Sequence, residues 1–330
     1  MIRSLRASGE NWLAGLGASR AARLAGAIGF RIAYSLFVLL IVAIIAFVGL
    51  RLAPGDVTTQ IVDPSRTTPA ELAALRSQLG LDEPVIVQFW IYLRGLGSGD
   101  FGASLLTREP VSEIVLNAAF HTATLALAAF AISAACALPL GLIAATWRGS
   151  WIDRSIMSAS ATLLALPNFV LAIILITIFG VYARWLPVAG TGTWQHLVLP
   201  AIVLAADPLA FATRLVRTSY LEQACASYPE ALRLRGIPEK AIRWRHILRN
   251  ALLPVISFAA VQVRTLVGYT LIVEVIFRWS GLGKQLVDSI LARDYQVAQG
   301  LTILLALVVV LSTLASKILY QLADPRVRDA

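Results

Sequence analysis

Six stretches of this chain are apolar for long enough to cross a lipid bilayer, and polar, turn-rich segments separate them. A helix needs about 20 mostly apolar residues to span the hydrocarbon layer. Residues 32–50 carry no charge, and residues 114–147 and 155–183 are each longer than one crossing requires. Residues 197–219, 250–276 and 295–316 complete the set. Backbone polar groups in lipid must be satisfied within the segment, so the pattern predicts helices throughout.

Between the spans the chain carries readable breaks. Arg51-Leu52-Ala53-Pro54-Gly55-Asp56 is a turn where the first span meets water. Thr68-Pro69-Ala70-Glu71 has the spacing of a capping box, and Leu72, Leu75 and Leu79 form one apolar stripe before Gly80. Asp82-Glu83-Pro84 opens a further short helix whose Phe89, Trp90 and Tyr92 suit a membrane interface. Pro167, in Leu166-Pro167-Asn168-Phe169, removes a backbone donor inside the third span and predicts a kink.

Composition agrees with a membrane protein: 58% of residues are hydrophobic and 14% charged. The net charge of +9 is explained by topology. Eighteen of the 28 basic residues lie in the N-terminal segment, the turn at 148–154, the central loop and the tail. Nine lie in the intervening loops, and Arg264 is inside a span. Basic residues collect on the cytoplasmic side, which places both termini and the central loop there. The first thirty residues lack an apolar core followed by a small-residue cleavage site, so residues 1–28 are read as a cytoplasmic lead-in and residues 29–50 as a retained first span. Cys136 lies inside a span and Cys225 beside the central loop, so no disulfide is expected; no cysteine pair has metal-site spacing, and His121, His196 and His246 are scattered.

The polar segment with most information is 227–254. Ser227 and Glu230 have capping-box spacing, Gly236 suits a left-handed helix end, and Pro238 can open a second helix. The pattern predicts a short helix, a sharp turn and a helix running into the membrane. A solvated basic loop is the alternative reading of the same charges.

Glu230-Ala231-Leu232, followed after three residues by Gly236, resembles the EAA loop of bacterial ABC importer permeases. Arg245-His246-Ile247-Leu248-Arg249-Asn250-Ala251-Leu252-Leu253-Pro254 resembles the dipeptide, oligopeptide and nickel branch of that binding-protein-dependent family. Gly99–Ser104, Trp147–Arg154, Phe277–Asp288 with Ala292–Tyr295, and Asp324–Arg328 resemble the same family, so the likeness covers about residues 30–328. Ser280 stands where the family's hairpin usually has proline, and Asp207 and Arg264 also depart from it.

The resemblance implies an all-α membrane protein of six transmembrane helices with the type I ABC importer permease fold and a cytoplasmic EAA coupling helix. It implies ATPase coupling through Glu230, Ala231, Arg233, Arg235, Gly236, Arg245 and His246. Trp279, Gly281, Gly283, Arg293 and Asp294 are implied as a periplasmic gate or a contact for the binding protein, with a gate loop stiffened only by glycine turns as the other reading. Implied partners are a second homologous permease forming a heterodimer, two ATP-binding subunits and a periplasmic substrate-binding protein. Location is the bacterial cytoplasmic membrane, and the solutes are di- or oligopeptides, glutathione, nickel complexes or related molecules.

The expected layout is a lead-in at 1–28, a first helix at 29–51 and a periplasmic region at 52–113. A five-helix core follows at 114–320, with a coupling loop at 220–250, a hairpin at 277–296 and a tail at 321–330. Asp207, Gln262, Arg264 and Glu274 are candidates for the translocation pathway. A charge at membrane depth costs about 2.5–3.5 kcal/mol on insertion scales, so it faces a partner or an aqueous cavity. Asp207 and Arg264 are open to two readings, a solute pathway or a structural ion pair. Glu274 stands near the outer end of its span, where solvation would also explain it.

There is no G-x-x-x-x-G-K-[ST] loop to cradle nucleotide phosphates. Catalytic triads and H-E-x-x-H are missing as well, so no catalytic, metal or cofactor residue is expected in the chain. ATP and Mg would be used by partner subunits. The competing class is an ion-driven secondary transporter, which calls for an inverted repeat with matched broken helices. An intramembrane enzyme would need a second acid beside Asp207.

Overall fold

The computed structural model describes residues 29, 33–49, 71 and 82–323, apart from the side chains of 263, 264, 267 and 316–323. The lead-in 1–28, the turn at 51–56, the capping motif at 68–70 with the stripe at 72–79, and the tail motif at 324–328 lie outside the described residues. Two compact units divide the chain, residues 1–53 and 54–330. The first contributes one apolar helix, α1 (Ala33–Gly49).

In the second unit, α2 (Val85–Ser98) starts after Pro84 and stops at Gly99, whose φ of 75° is left-handed. Then come α3 (Val111–Thr146), α4 (Trp151–Ala165) and α5 (Asn168–Leu175), the last continuing as a π-helical stretch, Ile176–Tyr182. Next, α6 (Trp194–Ala224) leads to two short helices, α7 (Tyr228–Leu234) and α8 (Glu239–Ala241). A π-helical stretch, Ile242–Ile247, joins α8 to α9 (Leu248–Ile276), and α10 (Leu282–Leu291) and α11 (Tyr295–Ala323) complete the unit.

Among the described residues, α3, α6 and α11 are long and apolar enough to cross a membrane, and α4 with α5 makes a fourth candidate. That pair bends by 107°. The cause is local. Leu166 precedes a proline and is extended (φ −88°, ψ 121°), which ends α4, and Pro167 then starts α5. Pro167 therefore produces a full break where the sequence predicted a kink.

The core is built around α6. A stripe of mostly small residues on α3, including Ala118, Thr122, Ala129, Ser133, Ala137 and Gly141, is buried. Small residues let membrane helices approach closely. At Gly141 a β-carbon would lie 2.6 Å from Val216 Cβ and 2.8 Å from the Thr213 carbonyl oxygen, so α3 meets α6 there at backbone distance. Leu125, Ala172, Leu199, Leu204, Leu266 and Phe277 join α3, α5, α6 and α9 in the main cluster. One end of the unit is closed by Val111, Val115, Leu282, Val297 and Leu301. The other is closed by Ala145, Tyr220, Ile242, Ile247 and Ala251.

Candidate functional site

At the second end, α7 and α8 stand on a short apolar base. Pro229 is buried, and Leu232 and Ile237 pack with Tyr220, Ile242 and Ile247. Gly236 has φ 77°, and its amide donates to the Arg233 carbonyl (2.9 Å) while Ile237 donates to Leu232 (3.2 Å). These crossed bonds close the helix end in the manner that favours glycine. Pro238 then stands at the start of α8, as its position in the sequence suggested.

The predicted capping box is not formed. Ser227 is itself in the right-handed helical region and its side chain makes no cap bond. Pro229 also occupies the first turn, so one of the amides a cap would satisfy is absent. The helix starts on proline geometry.

Glu230, Ala231, Arg233, Arg235, Gly236 and Arg245 are exposed, and His246 is half-buried. Leu234 is 86% exposed, an apolar side chain held out on a basic surface. Arg233 pairs with Glu239, and Arg243 reaches the same carboxylate at 3.6 Å. The hydrogen bond from Arg233 holds the Glu239 carboxyl below its ordinary range. At the same end, Arg217 of α6 donates two hydrogen bonds to Asp153 of α4, at 2.6 and 2.8 Å. Asp153 also accepts from the Gly149 amide at 2.9 Å. Sequence reasoning missed this clamp, whose partners are 64 residues apart.

The opposite end is a set of interlocks. Glu274 is fully buried, so a solvated carboxylate near the span end is not what forms. Its Oε1 accepts from the Thr122 hydroxyl at 2.6 Å, and its Oε2 accepts from the amides of Gly283 (2.6 Å) and Lys284 (3.2 Å) at the start of α10. Thr122 accepts in turn from the Leu282 amide at 2.8 Å. Trp279 is buried and its indole donates to the His121 carbonyl oxygen at 2.9 Å. Gly281 and Gly283 are buried beneath Glu274 and Leu271. Arg293 turns the chain between α10 and α11 in the left-handed region (φ 56°).

Asp294 is buried as well. Its carboxylate accepts from the Ser104 hydroxyl and from the Leu105 amide at 3.3 Å, which ties residues 104–105 to the start of α11. A cavity of about 340 Å³ opens beside this clasp, lined in part by Asn117, His121, Gln285, Asp288 and Asp294.

Among the described side chains, Glu274 stands apart from the other pathway candidates. Asp207 lies mid-way along α6, half-buried, and accepts from the Asn168 side chain at 3.0 Å. Gln262 is buried on α9, and the Arg264 side chain lies outside the described residues. Glu274 belongs to the interlocks above.

Residues 137–329 match the family described as "Binding-protein-dependent transport system inner membrane component". Residues 28–128 match that family's N-terminal membrane component. The chain belongs to the binding-protein-dependent ABC importer permeases. The glutathione transport system permease protein GsiC of Salmonella choleraesuis (strain SC-B67) is 37% identical over 290 residues, covering 88% of this chain and 94% of its own. GsiC of Escherichia coli (strain K12) is 34% identical over the same coverage. Among solved structures, the inward-facing MetNI methionine ABC transporter aligns with a TM-score of 0.54 at 20% identity. It covers 64% of this chain and 97% of that one, and at this identity it shows a shared fold. The protein is therefore a multi-pass transport permease of the inner membrane, and the secondary-transporter and intramembrane-enzyme readings fall away.

Proposed function

We propose that this permease couples ATP hydrolysis on separate subunits to solute entry through the α7–Gly236–α8 unit. The observation that carries the reading is the exposed face of Glu230, Ala231, Leu234 and Arg235 on a buried apolar base. An exposed leucine within a basic helical surface suits a groove that is apolar at its floor and acidic at its rim. In this reading the unit faces the cytoplasm, both termini lie on that side, and six helices cross the membrane. Two ATP-binding subunits use ATP and Mg. A second, homologous permease completes a heterodimeric pore, and a periplasmic binding protein delivers the solute at the hairpin end. Trp279, Gly281, Gly283, Arg293 and Asp294 hold that end in shape beneath the binding protein. The solutes are di- or oligopeptides or glutathione-like molecules, which the similarity to GsiC supports.

The test is retention of co-expressed ATPase subunits on purified native permease and on Gly236→Pro. Gly236 is exposed and its amide closes the helix end, so proline breaks the turn at the membrane surface. Loss of the ATPases from an equally abundant variant supports the reading. Absence of ATPases from the native protein overturns it.

A further inference from the structure

The bend in the third candidate span and the acid in α6 meet. Asn168 opens α5 just past the 107° break, and its side-chain amide donates to Asp207 Oδ2 at 3.0 Å. Asp207 is the fourteenth residue of α6, about 20 Å from its start at 1.5 Å per residue, which is mid-membrane depth. Pro208 follows it, so the neighbouring backbone is also short of a donor.

A third polar group shares the level. Phe211 of α6 stacks on Phe258 of α9, with ring centroids 4.5 Å apart. The two helices run in opposite directions: Tyr220 packs near Ala251, and Leu199 belongs to the cluster of Phe277. One turn from the stack, on the same faces, stand Asp207 and Gln262.

The local hydrogen-bond balance is lopsided. Among the described residues, Asn168 makes the one hydrogen bond to the Asp207 carboxylate, and Asn168 Oδ1 is buried without a partner. Asn168 has therefore given one amide hydrogen to the carboxylate and kept an unfilled acceptor beside it. What fits is a donor carrying positive charge.

We propose that Asp207, braced by Asn168 and level with Gln262, is a transient binding station for the protonated amine of the transported solute. The inference rests on the peptide-importer reading and adds a specificity element to it. A carboxylate at this depth faces a partner or an aqueous cavity, and the station places Asp207 on the aqueous route of the solute. Between residues 168 and 216 it is the only acidic side chain, so a free ammonium group has no other charge to pair with on that stretch. Peptides and glutathione-like solutes carry that group; their N-acetylated forms do not.

The test uses the complete importer in liposomes, with labelled dialanine and glutathione and the N-acetylated form of each. Asp207→Asn is expected to slow uptake of the free-amine solutes about tenfold, the scale of one lost charged hydrogen bond, and to change uptake of the acetylated forms less than about twofold. Equal slowing of both, or of neither, overturns the station. Recovery of both by the double exchange Asp207→Arg with Arg264→Asp also overturns it, by assigning Asp207 to a structural ion pair. If the native importer moves none of the four, the peptide reading itself fails and the station fails with it.

A second measurement covers a variant that does not assemble. The exposed Cys136 and Cys225 are first replaced by alanine. Asp207→Cys is then treated with a membrane-impermeant thiosulfonate, and modification supports an aqueous route. A thiol that stays unreacted during ATP turnover overturns it.

Discussion

Glu274 caps a helix to which it does not belong: its Oε2 lies 2.6 Å from the amide nitrogen of Gly283, in the first turn of α10. The carboxylate sits at the positive end of that helix and also receives the Thr122 hydroxyl. One side chain thus fixes α9, α3 and α10 together. Glu274→Ala leaves two amides and a hydroxyl without their acceptor. The expected cost is about 3 kcal/mol, since buried donors lose their partner without water to replace it. Hydrogen exchange of residues 282–291 should quicken sharply in detergent. Unchanged protection would show that α10 is held by packing alone.

Gly281 is needed for space rather than for backbone freedom. Its φ is an ordinary −90°, yet a β-carbon would lie 2.1 Å from Glu274 Oε1. Gly281→Ala should therefore resemble Glu274→Ala in stability. Combined with Glu274→Ala it should add little, because the clash is with the group removed. Additive losses in the thermal midpoint would sink this account.

The Asp153–Arg217 clamp makes a sharper demand on residue type. Asp153 is buried, and the guanidinium meets both carboxylate oxygens. Asp153→Ala should destabilise the second unit by about 3 kcal/mol, the usual result of stripping one partner from a buried pair. Arg217→Lys should recover little, because an ammonium cannot match the two-pronged geometry. Thermal unfolding that ranks Lys with the native protein would contradict this.

Glu239 supplies a pH signature at the coupling unit. Its folded carboxyl sits below the ordinary range because of the hydrogen bond from Arg233, so the folded state favours the charged form. The contribution is present above the unfolded value and is lost as pH falls through the lower folded one. Amide protection of Ile237 should decline on acidification into that window, and Glu239→Gln should remove the dependence. Both groups are exposed, so the effect should also shrink with salt.

Local features of the chain could be read in advance where a residue type sets its own backbone. Gly236 and Pro238 mark the turn between α7 and α8, Pro84 precedes α2, and Pro167 breaks the third candidate span. The capping box at Ser227 failed because spacing says nothing of the φ and ψ that α6 hands to that residue. The hairpin's interlocks were not legible at all. Thr122 lies 152 residues from Glu274, and Ser104 lies 190 residues from Asp294, and neither pair has a local pattern. Glu274 looked solvated because position along a span does not reveal which helix will fold over it. Asp207 stood out by its charge, whereas Asn168 did not, because an asparagine after a proline reads first as a turn residue.

The clasp between Ser104 and Asp294 sets an order on synthesis. Ser104 emerges before α3, whereas Asp294 emerges only after α10. Until then, the loop at 99–110 has neither the carboxylate that holds it nor the Val297 and Leu301 side chains that help cover its neighbour α3. The hairpin end is thus sealed only once α11 has begun to be made, and a chain that stops before Asp294 carries an open, polar seam that quality-control machinery can recognise.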